Sequence, residues 1–107
     1  MKINKEILKG STETLILKVL ETEPLYGYQI SKRLQEKSRR IFSLGEGTLY
    51  PLLHKLEKEK LLESYWQEYS GRRRKYYQLT TRGKKILTAK TAEWKVFAGA
   101  MRAVINK

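Results

Sequence analysis

Cysteine and aspartate are both missing from this chain, and histidine occurs once, as His54. Without cysteine there is no disulfide and no thiolate metal site. The 11 acidic residues are all glutamates, scattered among lysines. No metal triad, nucleophile–base pair or glycine-rich phosphate loop can be assembled from these parts, so neither catalysis nor a cofactor is expected. Long apolar runs are lacking too, and no stretch could span a bilayer. The opening MKINKEILKGSTETL has no uninterrupted apolar core of signal-peptide length. The simplest expectation is a cytoplasmic protein that binds and does not catalyse.

What the chain has in excess is positive charge. Its 107 residues carry a formal net charge of +12, with 40% hydrophobic residues, enough for one globular domain and one appended element. Residues 1–24 hold four Lys against four Glu, so the whole excess lies further along. Nucleic acid is the leading acidic partner and an anionic membrane surface the second.

Apolar spacing divides the chain into helices and strands. Ile7, Leu8, Leu15, Ile16, Val19 and Leu20 predict a helix from about Asn4 to Glu21, stopped by Thr22-Glu23-Pro24. Tyr26, Ile30 and Leu34 recur every fourth residue and predict a second helix, from Leu25 to about Ser38. Ser43-Leu44-Gly45-Glu46 has the spacing of a capping box for a third. Pro51 complicates that start, because it deletes a backbone bond, so the helix either begins nearer Gly47 or bends at Tyr50-Pro51. Along the third helix Leu49, Leu52, Leu53 and Leu56 form one inward stripe, and Thr48, Tyr50, His54, Lys55 and Lys58 fall on the other face.

Two aromatic-rich strands follow, Glu63 to Gln67 and Tyr76 to Leu79, joined by the turn Ser70-Gly71-Arg72-Arg73-Arg74-Lys75. Arginine favours phosphate, because its planar fork can bond two oxygens at once. Helix, helix, third helix and hairpin is the order of a winged helix-turn-helix, a mainly α fold with a two-stranded β-wing. Expected DNA contacts are Tyr28 and Lys32 on the second helix, Thr48, Tyr50, His54 and Lys55 on the third, and Arg72, Arg73 and Arg74 in the wing.

From Thr80 to about Ile105 the chain reads as one more helix, ~35–40 Å long and too long for the small domain to cover. Residues 1–80 are thus expected to form the DNA-binding domain and residues 81–107 a dimerisation helix. Leu87, Trp94, Phe97, Met101 and Val104 follow the a/d spacing of a helix packed on a partner, although Lys90 interrupts a seam already short for a coiled coil. Leu8 and Leu15 of the first helix would supply the other wall of a homodimer. The alternative is that Trp94 and Phe97 fold back on their own domain. A rival for the whole chain is a basic module whose last helix, with Lys84, Lys85, Lys90, Lys95 and Arg102, lies on an anionic membrane or a partner protein.

Tyr26-Gly27-Tyr28, Gly47-Thr48-Leu49-Tyr50-Pro51-Leu52-Leu53, Lys55-Leu56-Glu57, Gly71-Arg72-Arg73-Arg74-Lys75-Tyr76-Tyr77 and Leu79-Thr80-x-x-Gly83 together resemble the signature of PadR-type bacterial transcriptional regulators. The resemblance covers roughly residues 6–84, and the short length is similar to the compact branch of that family, which includes repressors of multidrug exporters. It implies a homodimer that binds an inverted-repeat operator in double-stranded DNA and is released by a small molecule. In the drug-sensing members a tryptophan at about the place of Trp94 stacks on flat aromatic ligands, which implies the same role here. The sequence departs from the pattern at Lys60, where a glycine generally ends the recognition helix. That departure leaves two outcomes, a helix one residue longer or an end under strain.

Overall fold

The structure is a computed structural model and describes residues 10–106. Among these lie four helices, α1 (Thr12–Val19), α2 (Gly27–Lys37), α3 (Glu46–Lys58) and α4 (Thr81–Ile105), and three strands, β1 (Leu25–Tyr26), β2 (Leu62–Tyr69) and β3 (Arg72–Leu79). The strands form one antiparallel sheet in the order β1-β3-β2. This is the expected winged helix-turn-helix with a long last helix.

One core holds these elements together. Ile16 and Leu17 of α1, Ile30 and Leu34 of α2, Leu49, Leu53 and Leu56 of α3, Leu62, Tyr77 and Leu79 of the sheet, and Leu87 of α4 are all buried in it. The inward stripe of α3 is therefore as expected, with Leu52 partly buried at its margin. Leu87 belongs to this core and not to a partner seam, so α4 leaves its own domain only beyond that residue.

The ends of the elements differ from the sequence reading in four places. Gly10 and Ser11 form a turn and α1 begins at Thr12, because glycine and serine punctuate the apolar periodicity; Leu8 lies outside the described residues. Leu25 and Tyr26 are strand, paired with Tyr77 and Tyr76, and α2 starts only at Gly27. The capping box at Ser43 does not form: Gly45 is the N-cap of α3 and Glu46 its first residue. Pro51 then falls within an unbroken α3, where it merely offers no N–H to the Gly47 carbonyl.

The fourth difference matters most for function. Ser70 and Gly71 alone make the turn, with φ of 51° and 75°, a two-residue turn whose twist matches the strands. The basic run is strand, not turn. Alternation then sends Arg73 and Lys75 to the face shared with Ser64, Trp66 and buried Tyr77, and Arg72 and Arg74 to the face shared with Tyr65 and Tyr76.

Lys60 resolves the departure noted in the sequence. The helix is not extended: Lys60 takes φ 63°, the left-handed conformation usual for glycine at this position. Its N–H donates to the Glu57 carbonyl at 2.9 Å and that of Leu61 to the Leu56 carbonyl at 2.9 Å, the paired bonds of a Schellman end. Buried Leu61 and Leu56 supply the accompanying apolar contact.

Candidate nucleic-acid interface

Helix α3 presents Gly47, Thr48, Tyr50, Pro51, His54, Lys55 and Lys58 outward. Tyr50 is half engaged. Its ring lies against Gly27 at the start of α2, where a β-carbon would come within 2.4 Å of the phenol oxygen, so a larger residue there would displace the tyrosine. The His54 ring sits 6.5 Å from that of Tyr50, centroid to centroid. Thr48 and His54 are exposed, as are Tyr28 and Lys32 on α2. A shallow groove of about 200 Å³ separates the two helices, lined by Gly27, Tyr28, Ser31, Leu44 and Tyr50 among others. Ser31 Oγ donates to the Leu44 carbonyl at 3.0 Å and holds the linker to α2.

Lys55 is differently placed from what the helix pattern alone conveys. Its Nζ lies 2.9 Å from Glu13 on α1, and that hydrogen bond, with the attendant charge, raises the lysine pKa above its ordinary value. Both side chains remain accessible, so a surface pair of this kind orients more than it stabilises.

The wing cations fall into two sets. Arg72, beside the tip, is exposed and pairs across the hairpin with Tyr69. Arg73 is also exposed and lies over the Trp66 ring, 5.1 Å from its centroid. Arg74 is turned onto Tyr26 at 4.4 Å, with its Nε buried and without a hydrogen-bond partner. It stiffens the outer face of the sheet, where Tyr65 stacks on Tyr76 at 5.7 Å and Tyr26 meets Tyr76 edge-on at 5.4 Å. Arg72 and Arg73 are the exposed pair.

Three residues that serve this surface carried no role in the sequence reading. Glu13 neutralises Lys55, Trp66 seats Arg73, and Glu57 joins α3 to the hairpin. Glu57 falls on the margin of the apolar stripe and within the Lys55-Leu56-Glu57 string of the resemblance, neither of which names its partners.

At the other end of the molecule, Trp94, Phe97, Met101 and Val104 of α4 are 52, 61, 45 and 73% exposed. They do not fold back into their own core. Trp94 and Phe97 instead border a groove of about 360 Å³ whose far wall is Gly10, Ser11 and Thr14, with Lys90 and Glu93 on its rim. Leu15, one residue on, packs partly against the core. Among the described residues no three His, Cys, Asp or Glu side chains gather as a metal site would require, and no helix is long and apolar enough to cross a membrane.

Comparison with known proteins agrees with this geometry. The family model of the PadR-like transcriptional regulators matches residues 16–89. An uncharacterised protein of Lysinibacillus sphaericus is 33% identical over 93 residues, which is 86% of this chain and 85% of the relative. The crystal structure of a PadR family transcription regulator from Clostridium difficile is 40% identical, with a TM-score of 0.79 over 90% of this chain and 99% of that one. That of a PadR-like transcriptional regulator from Bacillus cereus is 32% identical, with a TM-score of 0.85 over 95% of this chain and 98% of that one. An outward helix face, a basic hairpin and these relatives lead to one conclusion: the chain belongs to the PadR-like family and is a transcriptional regulator, not an enzyme.

Proposed function

We propose that this regulator is a homodimeric repressor that binds an inverted-repeat operator and is released by a small planar aromatic compound. The observation that carries the DNA-binding half is the pairing of an outward α3 face with a hairpin whose two exposed arginines, Arg72 and Arg73, stand beside its turn. α3 has the diameter of a major-groove reader, with Thr48, Tyr50 and His54 outward, flanked by Tyr28 and Lys32. The wing arginines grip phosphate. Residues 10–80 act as the reading head, and α4 beyond Leu87 as the dimerisation element.

Support for the dimer comes from apolar side chains of α4 that stay exposed among the described residues. Trp94, Phe97, Met101 and Val104 form one stripe, and two copies meeting there would bury it. The groove beside Trp94 would then be roofed by the partner, giving a slot with indole walls suited to flat aromatic ligands.

The wing tests the proposal. Replacing Arg72 and Arg73 with Ala should weaken binding to every duplex sequence about equally and make the salt dependence shallower by about one unit per lost phosphate contact. A double variant with altered sequence preference and the parental salt slope would refute phosphate gripping. Genome-wide recovery of bound DNA from the native host identifies the operator, and the neighbouring gene indicates the effector class.

A further inference from the structure

Tyr76 is the last residue of β3 paired with β1, and from there to the turn the backbone of β3 pairs with β2. The base of the hairpin is fixed from α4: Thr80 Oγ1 donates to the Lys60 carbonyl at 2.7 Å and Thr80 N–H to the Leu61 carbonyl at 3.1 Å. Gly83 packs so tightly on Leu61 that a β-carbon would come within 2.1 Å of the Leu61 carbonyl oxygen.

One side chain of α3 reaches both strands around the level where β1 ends. The Glu57 carboxylate accepts a hydrogen bond from Ser64 on β2 and faces Lys75 Nζ on β3 at 3.8 Å. Ser64 and Lys75 occupy the same hairpin face as Trp66 and Arg73. On the opposite face, Arg74 rests on Tyr26. The hairpin is therefore braced from both sides at the height where β1 ends.

Building on the DNA-binding reading above, we propose that Glu57 is a positioning residue for DNA binding, a strut that sets the angle between the reading helix and the wing. Leverage makes the strut matter. From Ser64 to Tyr69 the strand rises ~17 Å, so a tilt of about 10° at the strut moves the tip by about 3 Å, the length of a hydrogen bond. Arg72 and Arg73 would then miss the phosphates that α3 places within their reach.

Electrostatics provides the discriminating test, since removing a carboxylate from a DNA-binding surface should by charge alone tighten binding. Binding of a labelled duplex, enriched from a random pool by the parent protein, is followed by anisotropy across a salt series. Glu57→Ala should weaken binding about tenfold and flatten the salt slope as the Arg72→Ala/Arg73→Ala pair does. Placed on top of that pair, it should cost no more than about twofold, because the contacts it positions are already gone. Glu57→Gln keeps an acceptor for Ser64 and should bind within about threefold of the parent. Ser64→Ala, which leaves the charge unchanged, should act in the same direction as Glu57→Ala and serves if that variant does not fold.

Tighter binding by Glu57→Ala, or losses that add fully to those of the arginine pair at parental salt slope, would overturn the strut. If the arginine pair itself left both affinity and slope unchanged, the DNA-binding wing would fall first, and the strut with it.

Discussion

Lys60 shows how one residue can carry strain that a family pattern avoids. Left-handed backbone costs a non-glycine residue about 1–2 kcal/mol, and Lys60 adopts it at φ 63° to close α3. Lys60→Gly should raise stability by about 1 kcal/mol in thermal melts without altering DNA binding, since the backbone carbonyl that Thr80 uses is retained. An unchanged or lowered melting temperature would mean that the lysine side chain supports the fold. Tyr77 carries a different signature. Burial pushes its phenol above the ordinary 10.0, with Glu57 and then Tyr50 adding to the rise. A phenol raised in the folded state stays neutral where the unfolded chain already ionises. Its contribution is complete below about pH 10 and is lost as the pH climbs from there through the folded-state value. Tyr77→Phe should therefore lose less stability than the parent above pH 10, with Tyr76, also raised by desolvation, leaving a residual slope. An alkaline limb as steep as the parent's would remove Tyr77 from the account.

At the scale of elements, α3 divides its labour by face. Leu53 is fully buried, so Leu53→Ala should cost about 2–5 kcal/mol of stability. His54, its neighbour in sequence, is exposed. His54→Ala should leave the melt unchanged and weaken operator binding, and normal affinity in a gel shift would take His54 out of the interface. The hairpin divides in the same manner, but by strand alternation. Two arginines beside the turn stay exposed, while the third is half-buried against Tyr26.

For the molecule as a whole, the long axis of 55 Å reflects the length of α4, on which Trp94 is half-exposed. Trp94→Ala should weaken the dimer in sedimentation measurements. Planar aromatic compounds should quench the parent's fluorescence, with most of that quenching lost in the variant while Trp66 still emits. A variant as dimeric as the parent would move Trp94 off the interface. A broad panel of flat aromatics that changed neither emission nor operator affinity would end the drug-sensing reading.

Helical periodicity and turn chemistry are local properties, so the sequence alone determined the order of the helices and the hairpin, the buried stripe Leu49, Leu53 and Leu56 and the length of α4. The resemblance to the PadR pattern marked Lys60, where such sequences generally carry the glycine that a left-handed helix end prefers. Which arginines stay exposed, which lysine pairs with Glu13 and what braces the wing lay beyond the sequence. Arg74 meets Tyr26, Lys55 meets Glu13 and Glu57 meets Ser64 and Lys75 only after elements distant in sequence are packed together. The two-residue strand β1 escaped the sequence reading for the same reason: Leu25 and Tyr26 become strand only because β3 supplies their partners. Side-chain pairing across a core depends on distances that no spacing along one helix or strand encodes, and the tertiary structure decided it.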